Sequence, residues 1–168
     1  SNISNLNLPT SHHTITMIGR GGAKIKHVST MLDSSCDPKL VMLDIGTNDL
    51  AGHASPIALA EELLEVARAI VTSTASCSRV VIFGPLYRTV HGRHGAHPHF
   101  NERVKAFNHY LQVQLRDSDH IHFWYHKGLS SRALELVVDG VHLGEEGLRK
   151  YIRSLRRAVM KFTADMVV

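Results

Sequence analysis

Two short stretches of this sequence carry residue types that can do acid–base chemistry together. Asp139-Gly140-Val141-His142-Leu143 sets a carboxylate three residues before an imidazole, just ahead of a segment with helical spacing. Gly46-Thr47-Asn48-Asp49 sets an amide side chain in a tight turn after an apolar run. An imidazole can take a proton from a hydroxyl near neutral pH and return it to a leaving group. A neighbouring carboxylate fixes its tautomer and stabilises the imidazolium. An amide donor meets a developing oxyanion without risk of deprotonation, and each such preorganised donor contributes about 3–4 kcal/mol. These are three of the four parts of an acyl-transfer site. The fourth, a serine on a strained strand-end turn, is not evident, since Ser1, Ser4 and Ser11 lie in polar sequence unsuited to that turn.

Each motif also has a plain structural reading. Gly-x-Asn-Asp after a strand is ordinary turn punctuation. Asp139 can serve only as a cap before the last helix, and His142 is one of 13 histidines. The chemical reading rests on their occurring together and in order.

The elements that must position them read as follows. Thr14 to Ile18 has strand character, and Gly19-Arg20-Gly21-Gly22 is a turn before a short helix from Ala23 to Leu32. Leu40-Val41-Met42-Leu43 reads as a strand buried on both faces, followed by a turn over residues 44–48. Ser55-Pro56 opens a helix to about Ser73, with Leu59, Leu63, Val66 and Ile70 at helical spacing. Arg79 to Phe83 is another buried strand, and Gly84-Pro85 ends it. A Gly/His/Pro-rich loop leads to a helix from about His99 to Arg116, then a strand over residues 121–124. A connector crosses residues 129–138, with room for a short helix. A closing helix runs from Glu145 to about Thr163 with Leu148, Ile152, Leu155, Val159 and Phe162 inward. Strands that alternate with helices predict an α/β fold with a parallel sheet. In such sheets ligands bind at the C-terminal strand ends, so Gly22, Asn48, Asp139 and His142 are expected on one rim.

The 168 residues suggest one domain, residues 14–163, after a polar N-terminal segment, residues 1–13. Hydrophobic residues at 43% can support a core. A net charge of +4 is mildly basic and does not by itself imply nucleic acid. Cys36 and Cys77 form no motif and read as thiols of a reducing compartment, with a single disulfide left open. No apolar run reaches the ~18 residues of a membrane span, and no basic-then-apolar leader is present, so an intracellular location is expected.

With these residues in view, the chain resembles the SGNH (GDSL-like) hydrolase superfamily from about Thr14 to Met160. Gly21-Gly22-Ala23-Lys24-Ile25 is similar to the family's second block, Gly46-Thr47-Asn48-Asp49 to its third and Asp139-Gly140-Val141-His142 to its fifth. The resemblance implies a flavodoxin-like three-layer α/β/α sandwich with a parallel sheet. It implies an esterase acting on a small acyl or acetyl ester through a Ser-His-Asp mechanism, with no metal or organic cofactor. His142 would be the general base and acid, Asp139 its orienter, and the Gly22 backbone and Asn48 side chain the oxyanion donors. The family's first block, which carries the nucleophilic serine at the end of a central strand, has no counterpart here. The chain is therefore expected to lack its first strand, to be a piece of a longer protein, and to be inactive as given. Omission of that strand would open a gap of roughly 10 Å in the sheet.

Two further features were weighed. His91, His94, His97 and His99 are irregularly spaced with no nearby Cys or carboxylate, so a mobile rim loop is favoured over metal binding. The last helix carries Arg149, Lys150, Arg153, Arg156, Arg157 and Lys161, which its apolar stripe explains as a solvated face. The alternative function is a noncatalytic module of the same fold that binds nucleic acid or a protein through this helix.

Overall fold

The computed structural model describes residues 14–32, 37–89, 98–129 and 139–166. Three strands, β1 (Leu40–Leu43), β2 (Arg79–Phe83) and β3 (Ile121–Trp124), form a parallel sheet in the order β1-β2-β3. Val41 pairs with Val80, and Val80 with Ile121. Side chains alternate across this sheet with the period of two that a pleated strand imposes. Val41, Leu43, Val80, Ile82 and Ile121 enter the larger core. That core is completed by α3 (Pro56–Ser73) and α4 (Phe100–Gln114). Val81 and Phe83 face the other way, onto Leu155, Ala158 and Phe162 of α5 (Glu145–Thr163). Helices therefore cover both faces, and the continuous apolar runs of the strands follow from that. The three strands make a shortened flavodoxin-like α/β/α sandwich.

The α3 start is set by Ser55, whose Oγ accepts from the Ala58 N–H at 3.5 Å, and by Pro56 at the first helical position. Leu59, Leu63, Leu64, Ala67 and Ile70 recur on its buried face. The predicted helix over residues 23–32 is a 3-10 turn, Ile25–His27, running into a single α-turn, α1 (Val28–Met31).

One expected element is corrected. Residues 14–18 do not form a strand: Ile15, Met17 and Ile18 are 44%, 52% and 51% exposed and pair with nothing. A strand exists through hydrogen bonds to a neighbour, and β1 has a partner only on its β2 side among the described residues. The histidines His91, His94 and His97, the connector over residues 130–138, Cys36 and the polar segment 1–13 lie outside the described residues. Cys77 is a buried free thiol. No helix among the described residues is long and apolar enough to cross a membrane.

Candidate active site

The Asp139–His142 pair is built by one turn. Gly140 has φ of +87°, a region that favours glycine, and this folds the chain back over the Asp139 side chain. Asp139 Oδ1 accepts from the N–H groups of Val141 at 2.9 Å and His142 at 2.6 Å. Its Oδ2 lies 2.6 Å from His142 Nδ1. Asp139 therefore bonds the His142 ring and does not cap α5, whose N-terminal boundary residue is Gly144 with no side-chain cap. The hydrogen bond from His142's ring, then those from the two backbone N–H groups, hold the Asp139 carboxyl well below the usual carboxylate range. The His142 side chain is 78% exposed, and its Nε2 makes no hydrogen bond to the described protein.

The tight turn expected at Asn48 takes the form of a single helical turn after β1, α2 (Thr47–Leu50). Its Nδ2 donates to the Ala23 carbonyl at 2.9 Å. The next residue, Asp49, accepts from the Ile25 N–H through Oδ2 at 3.2 Å. These two bonds fasten the Gly21-Gly22-Ala23 turn to α2, so Gly22 and Asn48 become parts of one unit. An amide has two N–H donors; one is engaged and the other makes no hydrogen bond among the described residues. Gly22 has φ of +68°, and an added Cβ would meet nothing within 4 Å. Backbone conformation, not crowding, thus calls for glycine there.

No hydrogen bond joins His142 directly to Asn48 or Gly22 among the described residues. The two halves are tied from behind. Tyr151 of α5 donates to Asp44 at the end of β1. Burial first, then the Asp44 carboxylate, push the Tyr151 phenol up, so it keeps the proton it donates. Thr89, in the segment after β2, donates to the Gly140 carbonyl at 3.1 Å.

Several fasteners of this rim were not foreseen. Asn101 clamps the backbone of Arg88, accepting from its N–H at 2.9 Å and donating to its carbonyl at 2.7 Å. The Arg88 guanidinium lies 4.3 Å from the Phe100 ring centroid. Arg103 reaches across to the segment after α2, donating from Nε to the Leu50 carbonyl at 3.0 Å and also to Ala54. Asn108 donates to the Pro85 carbonyl at 3.3 Å. A helix that spends Asn and Arg side chains at positions facing its own apolar stripe was the available signal. Among the described residues no group of three His, Cys, Asp or Glu converges as a metal site.

Several solved structures share this fold. A protein described as an acylhydrolase from Bacteroides fragilis superposes with a TM-score of 0.68 at 16% identity, covering 84% of this chain and 72% of its own. One described as a platelet activating factor from Streptococcus pneumonia gives 0.63 at 16% identity, covering 82% and 69%. An acetyl esterase variant holding an acetate ion gives 0.58 at 15% identity, covering 87% and 70%. No curated protein sequence matches the chain. The profile of the GDSL-like Lipase/Acylhydrolase family matches residues 5–150, the span from before the Gly22 turn to within α5. By that match across most of its length, this chain belongs to the GDSL-like lipase/acylhydrolase family.

Proposed function

We propose that this chain forms the body of an ester hydrolase that cleaves an acyl or acetyl ester through a serine acyl-enzyme. The reading rests chiefly on the Asp139–His142 pair, in which Nδ1 is engaged by a carboxylate and Nε2 is left open. In each half-reaction His142 Nε2 takes the proton of the attacking hydroxyl, first from serine and then from water. It returns that proton to the leaving alcohol and then to the serine oxygen. Asp139 holds the ring and offsets its charge while it is protonated. The Gly22 N–H and the second Asn48 N–H receive the oxyanion. No metal or organic cofactor takes part.

The nucleophile enters, on this reading, with a strand encoded upstream of Ser1 that inserts between residues 14–18 and β1. Three exposed apolar side chains at Ile15, Met17 and Ile18 and the unpaired side of β1 support that placement. The chain as given is then inactive. Turnover of a short-chain activated ester by this chain and by a longer one starting upstream tests the reading. Activity is expected only in the longer chain, and lost on His142→Ala. Full activity in the 168-residue chain would mean that a nucleophile lies within it.

A second reading keeps the fold without catalysis. Among the described residues, Arg153, Arg156 and Arg157 of α5 are exposed with no carboxylate partner, whereas Arg149 and Lys150 pair with Glu145 and Glu146. Such a face suits a polyanion such as nucleic acid. An inactive longer chain with an intact serine turn would favour it.

A further inference from the structure

A groove of about 360 Å³ borders the outer edge of β3, lined by Arg116, His122, Phe123, Tyr125, Lys161 and Phe162 among others. It lies away from the ester site. His142 precedes the first turn of α5, whereas Lys161 and Phe162 are in its last, and a 19-residue helix is about 28 Å long.

Three observations there point to a ligand. His122 Nε2 is buried and has no hydrogen-bond partner, which in a native structure calls for an explanation. Lys161 Nζ stands 5.2 Å from the Phe162 ring centroid and 5.8 Å from that of Trp124. Neither it nor Arg116 has a carboxylate within ion-pair distance among the described residues. The walls are flat and apolar: the His122 ring stacks on Phe162 at 4.9 Å, and Phe123 lines the other side of the strand. Cations near helix C-termini are commonly explained by the helix dipole. That accounts for Arg116 and Lys161, but not for an imidazole nitrogen buried beside them without a partner.

We propose that this groove binds a small organic anion, a carboxylate or phosphate carried on a flat apolar body. The rings of Phe123 and Phe162 hold the body, and Lys161, Arg116 and His122 surround the charge. His122 Nε2 is itself covered by protein, so the ring acts on a bound anion through its charge once protonated. Burial first, then the charges of Arg79, Lys161 and His120, hold the free ring below the ordinary histidine value. The other groups facing it are Gln112 and Arg116 at the end of α4 and Tyr125 after β3. Arg79 is already held by Asp165 at 2.5 Å. A bound anion offsets these cations, so binding draws a proton onto His122, and by reciprocity affinity rises as pH falls.

The test is an NMR titration of the histidine rings of the 168-residue chain, with 2-naphthoate and inorganic phosphate as probes. A saturable shift of the His122 ring with 2-naphthoate is expected, with its titration midpoint raised in the complex. Lys161→Gln should weaken binding about tenfold, and inorganic phosphate should bind at least about tenfold more weakly than 2-naphthoate. Arg153→Gln, an exposed cation elsewhere on α5, should bind like the parent. The proposal is overturned if no saturable shift occurs, or if phosphate binds as tightly. It is equally overturned if Arg153→Gln weakens binding as much as Lys161→Gln, since net charge alone would then be the cause.

Discussion

His126 should make the stability of this protein depend on pH in a defined window. It is 2% exposed, packed between Phe83, at 5.2 Å between ring centroids, and Tyr151, at 4.9 Å. Its Nδ1 lies 3.0 Å from Ser154 Oγ, which also accepts from Trp124 Nε1 at 2.9 Å, while its Nε2 is buried without a partner. Burial pushes its pKa down to about 4. The unfolded chain, with a histidine near 6.5, then binds a proton that the folded chain refuses. Stability from this residue is complete above about pH 6.5 and is lost progressively as pH falls towards the folded value. A separation of this size corresponds to about 3 kcal/mol. Urea unfolding at several pH values from neutral to 4, on the parent and on His126→Phe, isolates the effect. The phenyl ring keeps the stacking and removes the titration. The loss of the Ser154 contact is a constant offset, and other titrating groups cancel in the difference. The variant should lose about 3 kcal/mol less than the parent across the window. Equal losses in the two proteins would refute the reasoning.

Three other outcomes follow from contacts around the same rim. Gly84→Ala should destabilise by about 1–3 kcal/mol, because its Cβ would sit 2.9 Å from Phe123 Cζ and 3.1 Å from Asn108 Oδ1; urea midpoints check this. Arg103→Met should cost about 3 kcal/mol by removing charged donors from the Leu50 and Ala54 carbonyls. It should also speed hydrogen exchange over residues 47–54, including α2. The Asp139 carboxyl carbon should titrate at lower pH than ordinary aspartates by ¹³C NMR and move back up in His142→Ala, because its largest stabilising contact is the His142 ring.

Much of this architecture could be read from residue patterns, for identifiable reasons. The strands over residues 40–43 and 80–83 are covered by helices on both faces, so their sequences are apolar runs with no helical period, whereas His122 interrupts the run over residues 121–124. The start of α3 was legible because Ser55 and Pro56 act locally, on the first turn itself. Residues 14–18 have the same local character as a strand, yet strand pairing is a property of two segments and the second is not among those described. The Asp139–His142 contact spans three residues and was readable from spacing. The bonds from Asn48 to Ala23 and from Ile25 to Asp49 span 25 and 24 residues, and no local rule announces them. The same holds for Tyr151 and Asp44, 107 residues apart. Burial, not position in the sequence, distinguishes His126 from the other histidines.

Gly22, Asn48 and His142 are proposed to serve one reacting centre. The direct measurement is a crystal structure of the longer chain, beginning upstream of Ser1, after reaction with a short-chain phosphonate ester. A phosphonyl adduct on the upstream serine is expected. Its oxygen should lie about 3 Å from both Gly22 N and Asn48 Nδ2, with His142 Nε2 facing the serine oxygen. An adduct whose oxygen is held by other donors, or one with the Asn48 and His142 Cα atoms more than about 12 Å apart, would contradict that proposal.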